Sequence, residues 1–302
     1  MEKEKEVNIT KLLEKCELCP HNCKVNRKDG IIGRCKAGFN VKIGLTQVHK
    51  FEEPCISGEN GSGTVFFTGC NLSCVFCQNF KISQEYKGKE ITVEELANEF
   101  INLQNKGVNN INLVTGFMFV PQIIEAIKIA KDNGLNIPIV YNSSGYESVQ
   151  TLKMLEGYVD IYLPDLKYFY NELGEEYSNV KNYFEVVKNS LVEMRRQVPE
   201  NVFDENGIMK KGVIIRHLIM PNHIRNSKRV LKFIKDTFGK DCLISVMAQY
   251  FPSNKATMFD KINRKINENE LNEIMEYLEI LGLENGFIQD IEDNEEKYVP
   301  DF

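Results

Sequence analysis

Three cysteines near residue 70 form the group of side chains best suited to chemistry. Cys70, Cys74 and Cys77 lie within eight residues and closely follow an apolar run at 64–68. Three thiolates at this spacing can hold three iron atoms of a [4Fe–4S] cluster, which leaves the fourth iron free to bind a substrate or cofactor. A structural zinc site closes with four ligands, often from two Cys-x2-Cys pairs, and this run lacks that form. The spacing therefore predicts a catalytic iron–sulfur site.

A second group of cysteines lies closer to the amino terminus. It consists of Cys16, Cys19, Cys23 and Cys35. Proline and several glycines interrupt the chain around this group, as a ligand-binding loop requires, so we expect it to bind metal. Four thiolates can close a zinc site or hold a further iron–sulfur cluster, and the spacing does not distinguish the two. Cys55, His21 and His49 are alternative ligands, and unligated thiols are the alternative to a metal site.

The cysteine count also indicates a reducing compartment. Eight of the nine cysteines lie between positions 16 and 77. An exported disulfide-bonded protein would be shorter and would carry a signal peptide, whereas residues 1–6 are too charged for one. We therefore expect a cytoplasmic protein. The ninth, Cys242, lies in an apolar run and is expected to be a buried, unreactive thiol.

Charge and hydropathy argue against two classes of partner. The net charge of −6 argues against nucleic acid, because phosphate binding requires a surplus of Lys and Arg on one face. No apolar run approaches the roughly 18 residues that indicate a membrane-spanning helix. A chain of 302 residues, 42% hydrophobic and 26% charged, is long enough for one α/β barrel or two smaller domains.

Short apolar runs alternate with amphipathic stretches from residue 64 onward. The runs are rich in β-branched and aromatic residues and predict strands at 64–69, 110–115, 137–142, 159–163, 213–219 and 242–248. The amphipathic stretches predict helices at 92–105, 120–132, 147–155, 179–197, 226–237 and 268–281. Thr92 and Glu95 form a candidate capping box at the start of the first helix.

Six strand–helix repeats predict an α/β fold, a partial (β/α)6 TIM-like barrel with a cysteine-rich N-terminal extension. The active site of such a sheet lies at the carboxyl ends of the strands, and the run at 70–77 follows the first of them. We predict a cysteine-rich metal-binding region at 1–63, the barrel at 64–282 and a C-terminal tail at 283–302. A hairpin-like excursion is expected at 198–211.

The pattern Cys70-x3-Cys74-x2-Cys77, with the aromatic Phe76 before the last cysteine, resembles the signature of the radical S-adenosylmethionine (radical SAM) superfamily. The resemblance implies that the open iron binds the amino and carboxylate groups of the cofactor. One electron then cleaves the cofactor to a 5′-deoxyadenosyl radical, which abstracts a hydrogen from a substrate. Phe76 can cover the adenine ring, and a flavodoxin or ferredoxin is the implied electron donor.

The resemblance also implies cofactor contacts at the ends of later strands. Asp165 and Lys167 resemble the Asp-x-Lys with which glycyl-radical activating enzymes contact the cofactor's ribose and carboxylate. Arg216 resembles an arginine that reaches the cofactor's carboxylate, and Gly116 falls where backbone carbonyls meet its amino group. The structural alternatives are a solvated Asp165–Lys167 pair and a structural ion pair at Arg216. His217 alternates with Arg216 along the strand, so one of them must point away from the site.

Asn142 and Ser144 resemble a polar turn that activating enzymes place near the cofactor. An aspartate there often helps to bind a monovalent cation, and the residue aligned with it is Asn142, which does not favour a cation site. Ordinary turn formation is the alternative role for both residues.

The N-terminal cysteines resemble the leader of proteins related to pyruvate formate-lyase-activating enzyme, the PflX-like proteins. The resemblance rests on the run Cys-x-Leu-Cys-Pro-His-Asn-Cys at 16–23 and extends over nearly the whole chain. One departure is the apolar Gly116-Phe117-Met118, where Pro-Thr-His is expected. This departure either reshapes the substrate pocket or leaves the loop to bind the cofactor through its backbone.

Two enzymatic functions follow, and one that is not enzymatic. The first is abstraction of a hydrogen from a protein or peptide, including activation of a glycyl-radical enzyme. The second is modification of a small molecule by the same chemistry. The third is a non-catalytic iron–sulfur electron carrier that has kept the fold.

Overall fold

The structure is a computed structural model, and it describes residues 8–289. Its strands are β1 (Val41–His49), β2 (Ser62–Phe67), β3 (Lys89–Ile91), β4 (Ile111–Val114), β5 (Ile139–Ser143), β6 (Ile161–Pro164), β7 (Val202–Phe203), β8 (Met209–Leu218), β9 (Leu243–Met247) and β10 (Gly286–Ile288). Its α-helices are α1 (Ile9–Glu14), α2 (Pro54–Ser57), α3 (Phe80–Ser83), α4 (Val93–Asn105), α5 (Val120–Asp132), α6 (Val149–Met154), α7 (Asn171–Ser178), α8 (Tyr183–Gln197), α9 (Ile224–Phe238) and α10 (Glu268–Leu281). The rest of the tail, residues 290–302, lies outside the described residues.

One sheet organises the molecule, with the strand order β10-β9-β8-β6-β5-β4-β2-β1-β3. The six predicted strands are confirmed as β2, β4, β5, β6, β8 and β9, and each pairs in parallel with the next. This mostly parallel sheet confirms the α/β fold and the partial barrel. β7 pairs antiparallel with β8, which confirms the hairpin-like excursion.

The edges of the sheet differ from the sequence prediction. β1 and β3 add an antiparallel edge beside β2, and β10 adds a parallel strand beside β9. β1 is only half-buried along most of its length, so it lacks the continuous apolar run by which the other strands were predicted. The sheet crosses the boundaries at 63 and 282, and the division into three regions stays a prediction.

The helices form largely where periodicity predicts them. At α4 the capping box is confirmed: the Thr92 hydroxyl accepts from the Glu95 amide at 3.1 Å, and the Glu95 carboxylate accepts from the Thr92 amide at 2.8 Å. The stretch at 179–197 is shorter than predicted, because α8 begins at Tyr183. The separate helix α7 precedes it and ends at Asn179, whose φ of 56° is the left-handed conformation that terminates helices.

A small plug closes the interior of the barrel at the end away from the cysteine run. Cys55 and Ile56 of α2 pack there against Val140, Ile161 and Ile214 of the parallel strands. Burial raises the pKa of the Cys55 thiol to about 12. Cys55 is therefore a core thiol, and it lies apart from the N-terminal cysteines.

A buried carboxyl group beyond β5 makes the stability of the fold dependent on pH. Glu147 is 2% exposed, and burial raises its pKa from 4.5 to about 8. Between those values the folded state holds a proton that the unfolded state has lost, so stability falls as the pH rises through this window. We expect Glu147→Gln to stabilise the protein at pH 9 by on the order of 3 kcal/mol and to change it little at pH 5.

Urea unfolding at the two pH values, with both proteins in the same state of metal loading, measures this difference. Glu205→Gln, at an exposed loop position, is the matched control and should leave the profile unchanged. A Glu147→Gln profile parallel to that of the unsubstituted protein would contradict the expectation.

Candidate active site

A cavity of about 270 Å³ opens at the carboxyl ends of the parallel strands. Cys70, Cys74, Cys77 and Phe76 line one side of it. The Phe76 ring is buried and packs edge-on against Tyr250, with the ring centroids 5.7 Å apart. The three thiols thus face a common space that has an apolar wall.

Each of the three sulfurs has its own polar neighbour. The Leu72 amide donates to Cys70 Sγ at 3.4 Å, while Ser178 Oγ lies 3.0 Å from Cys74 Sγ and Ser83 Oγ lies 3.2 Å from Cys77 Sγ. Amide and hydroxyl donors of this kind stabilise thiolates bound to iron. The three residues therefore fit the ligand set of a [4Fe–4S] cluster.

Burial keeps these thiols protonated until a metal binds. It raises the pKa of Cys74 to about 11, although the nearby Lys167 ammonium acts in the opposite direction. Burial likewise raises the pKa values of Cys70 and Cys77. Iron must therefore displace protons when it binds. Within residues 8–289 no three Cys, His, Asp or Glu side chains stand close enough to hold one ion; in a cluster, each thiol binds a different iron.

The cysteine run is held in place by α7, a helix that the sequence did not predict. The Ser73 amide donates to the Ser178 carbonyl at 3.1 Å, and the Val75 amide donates to the Tyr177 carbonyl at 2.9 Å. Gly69 precedes the run with a φ of 101°, and a Cβ there would lie 2.4 Å from the carbonyl oxygen of Cys35. Only glycine fits this approach of two backbones.

Polar side chains from later strands line the same cavity as the cysteines. Asn142 and Ser144 follow β5, and Asp165 and Lys167 follow β6. The Lys167 ammonium is paired with the Asp165 carboxylate, and both are largely buried. The structure thus brings these four predicted cofactor contacts into one cavity with the cysteines, and their binding roles stay predictions.

Arg216 lines the same cavity, and its guanidinium is already paired. Its Nε donates to Glu53 Oε1 at 2.8 Å, and Nη2 donates to Glu52 Oε2 at 2.6 Å. Glu52 Oε1 accepts from Asn112 at 2.9 Å and from Asn142 at 3.4 Å. The sequence analysis did not single out the two glutamates, because they lie more than 160 positions before Arg216 in a segment without strand or helix periodicity.

His217 is the residue of the pair that points away from the cavity. Its Nδ1 lies 2.7 Å from the Leu166 carbonyl, and its Nε2 lies 2.8 Å from Ser227 Oγ on α9. Both ring nitrogens are therefore used inside the core, so Arg216 and not His217 is the residue of this pair that faces the cavity.

Gly116 is the one predicted cofactor contact that does not line the cavity. It is buried, and a Cβ there would lie 2.7 Å from Cδ1 of Ile123 and 3.3 Å from the Phe67 ring. Thr115, with a φ of 58°, lines the cavity in its place. Phe117 and Met118 face a second cavity, so the apolar departure at 116–118 does not reshape this one.

The second cavity is small and brings together the four N-terminal cysteines. Cys16, Cys19, Cys23 and Cys35 all line it. The alternative ligands lie elsewhere: His21 Nε2 is 2.8 Å from the Asn71 carbonyl, His49 lines the large cavity, and Cys55 belongs to the plug of the barrel. Metal binding by this group stays a prediction.

Comparison with known proteins agrees with the fold and the cysteine pattern. The family model of the radical SAM superfamily matches residues 64–210. An uncharacterized protein of Methanocaldococcus jannaschii is 34% identical over 290 residues, which cover 92% of this chain and 78% of that protein. Pyruvate formate-lyase-activating enzyme of Clostridium pasteurianum is 24% identical over 246 residues, covering 77% of this chain and 99% of that enzyme.

A solved structure shares the architecture. The crystal structure of methylornithine synthase has a TM-score of 0.50 and 13% identity, over 72% of this chain and 68% of that chain. At this identity the likeness concerns the fold alone. In the described part of the chain, no helix has the length and apolar character needed to cross a bilayer.

The family implies an enzyme that uses a [4Fe–4S] cluster and S-adenosylmethionine. The cysteines that match its signature lie at the carboxyl ends of the parallel strands, where this fold places an active site. The chain belongs to the radical SAM superfamily.

Proposed function

We propose that this protein reductively cleaves S-adenosylmethionine and abstracts a hydrogen atom from a protein or peptide, with activation of a glycyl-radical enzyme as the leading case. The observation that carries the proposal is the shared cavity, which the three thiols, Lys167 and Asp165 all line. When bound there, the cluster would supply the electron that cleaves the cofactor.

The chain's own residues bind and orient the cofactor. The Lys167 ammonium suits a carboxylate, and the Asp165 carboxylate suits a ribose hydroxyl. Phe76 offers an apolar face to the adenine, and Asn142 and Ser144 offer further polar contacts. The buried position of these groups excludes water from the reacting atoms.

The preference for a protein substrate rests on similarity. The activating enzyme of C. pasteurianum aligns over nearly its whole length, and its name states what it activates. The proposal extends that substrate class to this chain.

A small-molecule substrate is the second candidate, and the remaining polar lining of the cavity favours it. Besides the pair at 165–167, the cavity is lined by His49, Glu52, Met247 and Gln249. Charged and amide side chains on a buried wall can recognise the polar groups of a small ligand.

We also propose that the four N-terminal cysteines bind a second metal centre, which is an iron–sulfur cluster or zinc. A flavodoxin or ferredoxin is the proposed electron donor, and a cytoplasmic location stays a prediction. The third function, a non-catalytic iron–sulfur electron carrier, is one of the outcomes that the following experiment distinguishes.

The test measures 5′-deoxyadenosine after the anaerobically loaded protein is reduced with dithionite and given S-adenosylmethionine. A glycyl-radical enzyme from the same organism, deuterated at glycine, is then added. We expect more product, with deuterium in it and a glycyl radical in the EPR spectrum. Turnover without deuterium transfer, together with a modified small molecule, would favour the second candidate. An intact cluster that yields no 5′-deoxyadenosine would support the carrier.

A further inference from the structure

We propose that Cys16, Cys19, Cys23 and Cys35 hold a second [4Fe–4S] cluster with four cysteine ligands rather than zinc, and that Arg27 is its buried counter-charge. The proposal deepens the second metal centre described above. It does not depend on the reaction with S-adenosylmethionine.

The four cysteines do not form the compact group that a single ion requires. Within residues 8–289 no three Cys, His, Asp or Glu side chains stand close enough to hold one ion. The same holds for Cys70, Cys74 and Cys77, whose pattern is that of a superfamily that implies a [4Fe–4S] cluster. Each thiolate of a cubane binds a different iron, so its ligands lie farther apart than sulfurs that are all about 2.3 Å from one zinc ion.

Apart from the cysteines, the only ionisable side chain among the described residues that lines the second cavity is a buried arginine. Arg27 is 1% exposed; its Nε donates to the Gly38 carbonyl at 2.8 Å and its Nη1 to the Met118 carbonyl at 2.6 Å. Its guanidinium also lies 5.4 Å from the centre of the Phe119 ring. Among residues 8–289 no carboxylate pairs with it. A buried guanidinium is costly unless a negative charge lies nearby.

The cysteines supply that charge only when they are thiolates bound to metal. Cys16 Sγ accepts weakly from Arg27 Nη1 at 4.0 Å, so the cation lies directly beside the group. Four thiolates on a cluster carry a net negative charge, which compensates Arg27, whereas four neutral thiols leave it unpaired. The charge argues for a bound metal centre, and the spacing of the thiols argues for a cluster.

The surroundings of the cavity also suit a cluster. Leu18, Val25, Phe117 and Met118 give it an apolar lining. The Arg34 amide donates to Cys23 Sγ at 3.4 Å, as backbone amides do to cluster ligands. This assigns a role to the apolar departure at 117–118, which covers the N-terminal cysteines.

The cavity lies beside the radical site. The Cys35 carbonyl packs against Gly69, the residue before Cys70, and His21 reaches the Asn71 carbonyl. The two cysteine loops therefore share backbone contacts, and the second cluster stands next to the first.

Metal analysis of the full chain tests the proposal. The triple variant Cys70→Ala/Cys74→Ala/Cys77→Ala, loaded anaerobically with iron, sulfide and zinc all available, should retain about four irons and no zinc, against about eight irons in the unsubstituted protein. Its Mössbauer spectrum should be that of a [4Fe–4S] cluster, and S-adenosylmethionine should not change its EPR spectrum after reduction. Cys242→Ala, a buried thiol outside both groups, should keep about eight irons.

Other metal contents would contradict the second iron–sulfur cluster. About one zinc and no iron in the triple variant, or no metal at all, would overturn the proposal. Should that variant fail to fold, the unsubstituted protein decides: about four irons, with or without zinc, overturns it as well. Neither result bears on whether the first site cleaves S-adenosylmethionine.

A second measurement tests the counter-charge. In the triple variant, Arg27→Met should move the midpoint potential of the remaining cluster to a more negative value, because loss of a nearby cation disfavours the reduced form. Lys28→Met removes an exposed cation from the next position and should leave the potential unchanged. Equal potentials in both variants would remove Arg27 from the assignment.

Discussion

Cys74→Ala abolishes the formation of 5′-deoxyadenosine from S-adenosylmethionine by the reduced protein. Without this thiol one iron of the predicted cluster loses its protein ligand, and the Ser178 hydroxyl loses the sulfur that lies 3.0 Å away. We expect the product to fall below detection by liquid chromatography, while the iron–sulfur absorption of the same sample falls by about half because the proposed second cluster remains.

Cys242→Ala is the matched control, since it removes a buried thiol that lies outside both groups of cysteines. It should retain the absorption and the activity of the unsubstituted protein. Continued product formation by Cys74→Ala at an undiminished rate would contradict the assignment of the site.

Arg216→Gln lowers the free energy of unfolding by about 3–5 kcal/mol. Glu52 and Glu53 have side chains that are 7% and 3% exposed, and both are paired with this guanidinium. Removal of the arginine leaves two carboxylates buried without their cation, which costs far more than the loss of an exposed pair. Urea unfolding under anaerobic conditions measures the difference.

Arg196 offers a matched comparison on the surface. It also pairs with two glutamates, Glu156 and Glu193, but its own side chain is 49% exposed. Arg196→Gln should cost less than Arg216→Gln, because the Glu156 carboxylate is half exposed to water and the Glu193 carboxylate, although its side chain is 7% exposed, still accepts from Gln197 at 2.9 Å. Adding Glu52→Gln to Arg216→Gln should restore part of the lost stability. Similar losses at the two arginines would show that burial does not govern the effect.

Local patterns were sufficient to predict the parallel core and the reactive cysteines. The six central strands have continuous apolar runs, because both faces of a parallel sheet are covered. The Thr92–Glu95 capping box and the spacing of Cys70, Cys74 and Cys77 involve neighbours within one turn or loop. Such relations between near neighbours can be recognised from the amino-acid sequence alone.

Contacts between segments that are distant in the sequence could not be predicted from these patterns. β1 lacks an apolar run, and α7 was not predicted at all, because its eight residues contain only two large apolar side chains, Leu173 and Tyr177. The partners of the sulfurs, Ser83 and Ser178, were equally hidden, since no periodicity marks a hydroxyl that meets a thiol from another element.

The sequence by itself determined the family and the fold class, and it predicts the three cysteines of the proposed radical site, because each depends on residue types at fixed short spacings. The tertiary structure alone decided that Glu52 and Glu53 occupy the guanidinium of Arg216 and that Phe117 and Met118 cover the N-terminal cysteines. These contacts join segments that only the folded sheet brings together, and their energies depend on burial, which is a property of the whole molecule.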